Sequence, residues 1–138
     1  MTPTFKNKTL ATFLASFFGG VGLHRFYLFG KFDFWGWAHL VTLPISALAI
    51  WSGSVQNWLF LSFLLVLSIL SGFLEALVIG LTPDERWDAR FNAATGRLSD
   101  SGWTVALLLI FTLGGGAMSL IWVMARSFDL LFTGGAYG

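Results

Sequence analysis

Two ionisable side chains sit inside apolar runs of this chain. Glu75 follows Gly72-Phe73-Leu74, and His39 lies within the run that begins at Phe34. Glu75 is six residues before Leu81 and His39 five after Phe34, which places them roughly 9 Å and 8 Å into their segments at 1.5 Å per helical residue. An ionised carboxylate at the centre of a membrane helix costs roughly 2.5–3.5 kcal/mol, and less nearer the interface. Glu75 is therefore expected to be compensated by His39, by Arg25, or by both, because a carboxylate without a partner would take up a proton. Such a cluster can do two things. It can clasp helices in register, or it can hold and pass a proton or ion.

A second chemical feature is the stretch Gly19-Gly20-Val21-Gly22-Leu23-His24-Arg25-Phe26-Tyr27-Leu28, a glycine-rich helix end running into a cationic, aromatic tetrad. The guanidinium of Arg25 at a membrane boundary can reach lipid phosphates, or turn inward to a carboxylate and helix-end carbonyls. Phe26 and Tyr27 would cover its stem. The inward use is favoured, since Glu75 is expected on the same side of the membrane.

Enzyme templates do not fit. The chain carries no phosphate-binding loop, no dinucleotide fingerprint and no cluster of His and acids of metal type. It has no cysteine, so thiol chemistry and disulfides are excluded. No cofactor and no metal are expected. Asp84, Glu85, Arg86, Asp88 and Arg90 form a mixed-charge patch that reads as a solvated helix start, with Asp84 and Asp88 on one face if the segment after Pro83 is helical. Two carboxylates are fewer ligands than calcium takes.

The elements that must position these residues are membrane helices. Of 138 residues, 56% are hydrophobic and 11% charged, far from the quarter or so of charged residues in soluble domains. A net charge of +1 gives no basic surface for nucleic acid. Four apolar segments are expected, at residues 9–23, 34–51, 58–81 and 103–125. The first is about 22 Å long as a helix, short of a hydrocarbon core of roughly 30 Å. Lys6 and Lys8 precede it, yet no small-x-small cleavage site follows, so it reads as a retained helix rather than a signal peptide. The uncharged connector 52–57 predicts an antiparallel hairpin of the second and third segments. Trp35 and Trp51 bracket the second, and Trp103 and Trp122 the fourth, as interfacial anchors do.

Small residues recur every four positions at Ser68, Gly72, Ala76 and Gly80, a spacing that lets another helix approach closely. The partner is either the first segment, where Ser16 and Gly20 repeat the pattern, or a second copy of the chain. Gly114, Gly115 and Gly116 mark a further close crossing or a distortion. With four crossings, Arg25, Lys31, Arg86, Arg90 and Arg97 share one side and Lys6, Lys8 and Arg126 the other, five against three. The positive-inside rule then puts the His24-Arg25 connector and the loop 82–102 in the cytoplasm, with both termini outside.

Residues 8–28, with their glycines followed by His24-Arg25-Phe26-Tyr27-Leu28, resemble the TM-two domain family of small membrane proteins. A second match is downstream. Gly72-Phe73-Leu74-Glu75, then Asp84, Trp87, Asp88, Phe91 and Asn92, is similar to the ending of the bacterial members, so the resemblance covers about residues 6–92. It implies two membrane helices joined by a connector that holds His24, Arg25 and Phe26, in a bacterial inner membrane. Phe29 departs from the family's Leu-Gly step, and the fourth segment is an addition. The resulting expectation is an all-α integral membrane bundle of four segments with a short first helix, a core at 1–92, and a remainder at 93–138. Its expected role is non-enzymatic, an interaction or regulatory component among membrane lipids, with a second copy of the chain or a partner membrane protein as its candidate partners. The competing class is a small proton- or ion-linked transporter or channel built on Glu75, His39 and Arg25.

Overall fold

The computed structural model describes residues 4–53 and 58–137, and among these every regular element is helical. Three helices are long and apolar enough to cross a membrane: α3 (Phe34–Ser52), α5 (Phe63–Leu81) and α7 (Trp103–Thr133). The shorter elements are α1 (Lys8–Phe18), a 3-10 turn (Gly19–Val21), α2 (Leu23–Phe29), α4 (Trp58–Leu61) and α6 (Asp84–Phe91). The protein is a multi-pass integral membrane bundle with three membrane-length helices and a shorter first helix.

Its core is unlike that of a water-soluble domain. Most buried positions are small or polar, including Ala11, Thr12, Ala15 and Ser16 on α1 and Ser68, Gly72, Ala76 and Gly80 on α5; Leu59 and Trp87 are the large apolar exceptions among the described residues. Phe13, Phe17, Leu74, Val78 and Leu107 point outward. In lipid, large apolar side chains gain little by turning inward, so helices associate through close backbone approach and hydrogen bonds. The small-residue stripe of α5 meets the first segment, where a Cβ added to Gly72 would lie 2.6 Å from backbone atoms of Gly19. Ser16 turns instead to α7, its hydroxyl 2.7 Å from that of Thr112. Gly116 meets Phe73 of α5, whereas a side chain at Gly114 or Gly115 would meet nothing within 4 Å.

The first segment departs from the expected course. Asn7 caps α1 by accepting a hydrogen bond from the Leu10 amide at 3.0 Å, but the 11-residue helix is only about 16 Å long. Gly22, at φ 74°, then takes the left-handed conformation, which side-chain-bearing residues rarely adopt. The chain turns back, and α2 returns alongside α1 to the level at which it entered. Lys6 Nζ donates to the Tyr27 carbonyl at 2.6 Å and Lys8 Nζ pairs with Asp84 at 2.8 Å. Lys6 and Lys8 therefore lie on the face of α6, not opposite it. Seven of the eight Lys and Arg residues share that face, and Arg126 alone is across the membrane.

This corrects the side assignment of five against three. It also corrects the placing of both termini together, because three crossings put them on opposite sides. By the positive-inside rule the N-terminus and the loop 82–102 are expected on the cytoplasmic side. Single cysteines at the exposed residues Thr4, Ala94 and Ala136 test this with an impermeant maleimide. Ala136→Cys is expected to label in intact cells, and Thr4→Cys and Ala94→Cys only after permeabilisation. Labelling of Thr4→Cys together with Ala136→Cys contradicts the half-depth hairpin.

Smaller differences have local causes. The third segment is split at Ser62, whose hydroxyl donates to the Trp58 carbonyl at 2.7 Å. The fourth runs to Thr133 rather than 125, held by an Arg126–Asp129 ion pair one turn apart. Trp103 and Trp122 are still about 29 Å apart along α7, a hydrocarbon thickness, and Trp122 packs on Trp58 with ring centroids 5.6 Å apart. The expected hairpin connector 52–57 lies mostly outside the described residues.

Candidate functional site

The reversal at Gly22 delivers His24 and Arg25 to Glu75. α3 packs against the same turn so tightly that a Cβ on Gly22 would lie 2.8 Å from the Gly36 carbonyl oxygen. That packing brings His39 in from the other side. His24 Nε2 bonds Glu75 Oε2, Arg25 Nη1 lies 3.4 Å from Oε1, and His39 Nε2 lies 3.7 Å from Oε1. One carboxylate is met by two imidazoles and a guanidinium. His24 and His39 are buried, whereas the Glu75 side chain keeps 31% of its surface exposed.

A hydrogen-bond chain orients the His39 ring. Ser68 Oγ donates to the Gly20 carbonyl at 2.7 Å, which uses its only proton. It must then accept from His39 Nδ1, 2.6 Å away. His39 Nε2, on the far side of the ring, faces the carboxylate oxygen. His24 Nδ1, by contrast, is buried without a protein partner among the described residues. Deeper in α3, Ser46 lies seven residues from His39, two turns along the same face, and its buried hydroxyl also has no protein partner.

Arg25 is held by a second acid. Its Nε donates to Asp33 Oδ2 at 2.8 Å, and the same oxygen accepts from the Gly36 amide at 2.7 Å as the N-cap of α3. The bond from Arg25, aided by the Gly36 amide, outweighs burial and holds the Asp33 carboxyl below its usual range. The inward orientation of Arg25 is thus built by the residue that starts the next helix. Phe26 packs edge-on to Trp37 with centroids 5.7 Å apart. The Tyr27 hydroxyl accepts from the Asn7 amide at 2.8 Å.

The loop motif makes a separate structure. Burial raises the Asp84 pKa, but hydrogen bonds from Lys8 and Ser101 outweigh it and bring the pKa down to about 2. Asp88 accepts from the amide and hydroxyl of Ser99, both at 2.6 Å, and from Asn92 at 2.7 Å, which keeps its carboxyl ionised below the usual range. Trp87, 2% exposed, donates to the Lys6 carbonyl at 3.0 Å. Asn92 Oδ1 accepts from the Lys6 amide at 2.8 Å. Phe91 stacks on Trp87 with centroids 4.5 Å apart. These acids are not a solvated helix start. They tie the N-terminus to the loop.

A cleft of about 230 Å³ leads from the loop side to Glu75 and His24, between α2, the end of α5 and α6. Among the described residues no group of three His, Cys, Asp or Glu is arranged to hold a metal ion. Sequence reasoning brought Glu75, Arg25 and His39 together but missed His24 as the nearest partner, along with Asp33 and the Ser68 hydroxyl. Asp33 carried a usable signal. An Asp just before a helical run is an N-cap, and it lies eight residues from Arg25.

Comparison with known proteins bears on one part of this arrangement. Residues 4–55 match the family model described as TM2 domain, which spans α1, the glycine turn, α2 and α3. Glu75 and α6 lie outside the matched residues. No curated protein and no solved structure matches the chain at a significant level.

Proposed function

We propose that this protein is a small proton-linked membrane transporter or channel whose working group is Glu75 with His24, His39 and Arg25. One observation carries the reading: inside the apolar bundle a titratable ring lies at each oxygen of one carboxylate, His24 at Oε2 and His39 Nε2 3.7 Å from Oε1. A clasp that only fixed helix register would need one donor per carboxylate oxygen. Here a second titratable ring has been added, and the carboxylate is reached through a cleft. The buried hydroxyl of Ser46 continues the polar line deeper along α3, at about 18 Å from its start. Intramembrane ionisable groups of this kind mark proton and ion pathways.

The cluster faces the cytoplasm of a bacterial inner membrane. Residues 1–92 form the working core, and 93–138 supply α7 as a buttress. Catalysis is not assigned. Reconstitution in liposomes with a trapped pH-sensitive dye tests the reading. The wild type is expected to dissipate an imposed pH gradient and Glu75→Gln to leave it standing.

An interaction or regulatory component is the second reading, favoured by the open space around Gly114 and Gly115 on α7. A second membrane helix would fill that space. It gives no account of the second imidazole beside Glu75.

A further inference from the structure

Helix α6 sorts its charges onto two faces. Asp84 and Asp88, four residues apart, are engaged on the loop side by Lys8, Ser101, Ser99 and Asn92. Arg86 and Arg90, also four apart, line the opposite face over the cleft. Neither has a carboxylate within 4 Å among the described residues. Arg90 instead lies over Phe29 and Phe91, with its guanidinium carbon 5.9 Å and 5.2 Å from the ring centroids.

Below them the cleft is walled by Leu28, Phe29, Val78 and Ile79, where the last turn of α5 meets the interface. Arg25 lines the cleft as well, and Glu75 is the one carboxylate lining it. The charges there do not cancel. Arg25 is already engaged by Asp33 and Glu75, which leaves Arg86 and Arg90 above an apolar wall, in a protein whose surroundings are lipid.

We propose that this cleft binds the headgroup of an anionic phospholipid, with the phosphate bridging Arg86 and Arg90 and the upper acyl chain lying along Val78 and Ile79. Paired guanidinium groups suit phosphate because they donate bidentately in a fixed plane. The apolar wall selects a lipid over a free anion. This goes beyond the proton-linked reading and does not depend on Glu75 changing its protonation state.

The test is native mass spectrometry of the full chain released from nanodiscs of phosphatidylglycerol and phosphatidylcholine in equal amounts. Phosphatidylglycerol is expected to be retained in preference, and retention should fall about fivefold for each arginine removed in Arg86→Gln and Arg90→Gln. Arg97→Gln is the control. It removes a charge from the same face, but its side chain lies over Phe5, 4.4 Å from the ring centroid. Equal retention of the two lipids overturns the proposal, as does loss in Arg97→Gln equal to that in Arg86→Gln. Displacement of the lipid by millimolar inorganic phosphate also overturns it, since the ligand would then be a soluble anion. Circular dichroism confirms that the exposed substitutions leave the helices intact.

Discussion

Glu75→Ala is expected to destabilise the folded protein by about 3–5 kcal/mol, the cost of breaking a buried charge network by removing one partner. The substitution leaves His24 Nε2–H without an acceptor and strips Arg25 of one of its two carboxylates. His24 is fully buried, and no other protein acceptor among the described residues bonds its Nε2. Glu75→Gln should behave differently. The amide oxygen can take the place of Oε2 beside His24 and the amide nitrogen that of Oε1 beside His39, so the imidazole contacts are kept while the Arg25 bond to Oε1 is lost. Its cost should stay within about 1 kcal/mol, the net worth of an ordinary hydrogen bond. Thermal unfolding in detergent, followed by circular dichroism, compares the two. Equal losses of stability for alanine and glutamine would show that charge alone, not the donor and acceptor pattern, holds the cluster.

Gly72→Val should be as damaging, for a steric reason. A Cβ there lies 2.6 Å from the Cα and carbonyl carbon of Gly19 and 3.0 Å from the Gly20 amide nitrogen. These are backbone atoms, and no rotamer change relieves the overlap. Overpacking in a tight core costs about 1–3 kcal/mol, occasionally more, and a backbone-to-backbone crossing belongs at the upper end. The same contact holds the turn that places His24 on Glu75, so the crossing and the site should fail together. Gly114→Val is the matched control, since a Cβ at Gly114 meets nothing within 4 Å. Comparable loss of folded yield in the two variants would contradict the assignment of α1 as the partner of the α5 stripe.

Much of this fold is legible because apolar runs long enough to cross a membrane have few other uses. The three long helices follow from that alone. The first segment is different, since counting apolar residues along a straight line extends the helix through Leu23. A single left-handed residue at Gly22 ends it after Phe18 and turns it round. The clue lay in the spacing of Gly19, Gly20 and Gly22, but glycine marks permission for such a turn and not its occurrence. Once the turn is missed, Lys6 and Lys8 go to the wrong side.

The site divides in the same way. Glu75, His39 and Arg25 stand out because polar groups in apolar runs are expensive and must find one another. His24 is hidden because its contact exists only after the chain reverses. The sorting of α6 is hidden too. Spacing of four residues puts Asp84 with Asp88 and Arg86 with Arg90, yet only the folded loop 93–102 determines which pair it covers.

Proton flux into liposomes, measured at matched protein incorporation with Glu75→Gln as the folded control, tests the central claim most directly. The wild type should collapse an imposed pH gradient faster than protein-free liposomes, and Glu75→Gln should match the protein-free rate. Equal collapse by wild type and Glu75→Gln, or a wild-type rate no faster than that of protein-free liposomes, would contradict a proton-handling role for the cluster.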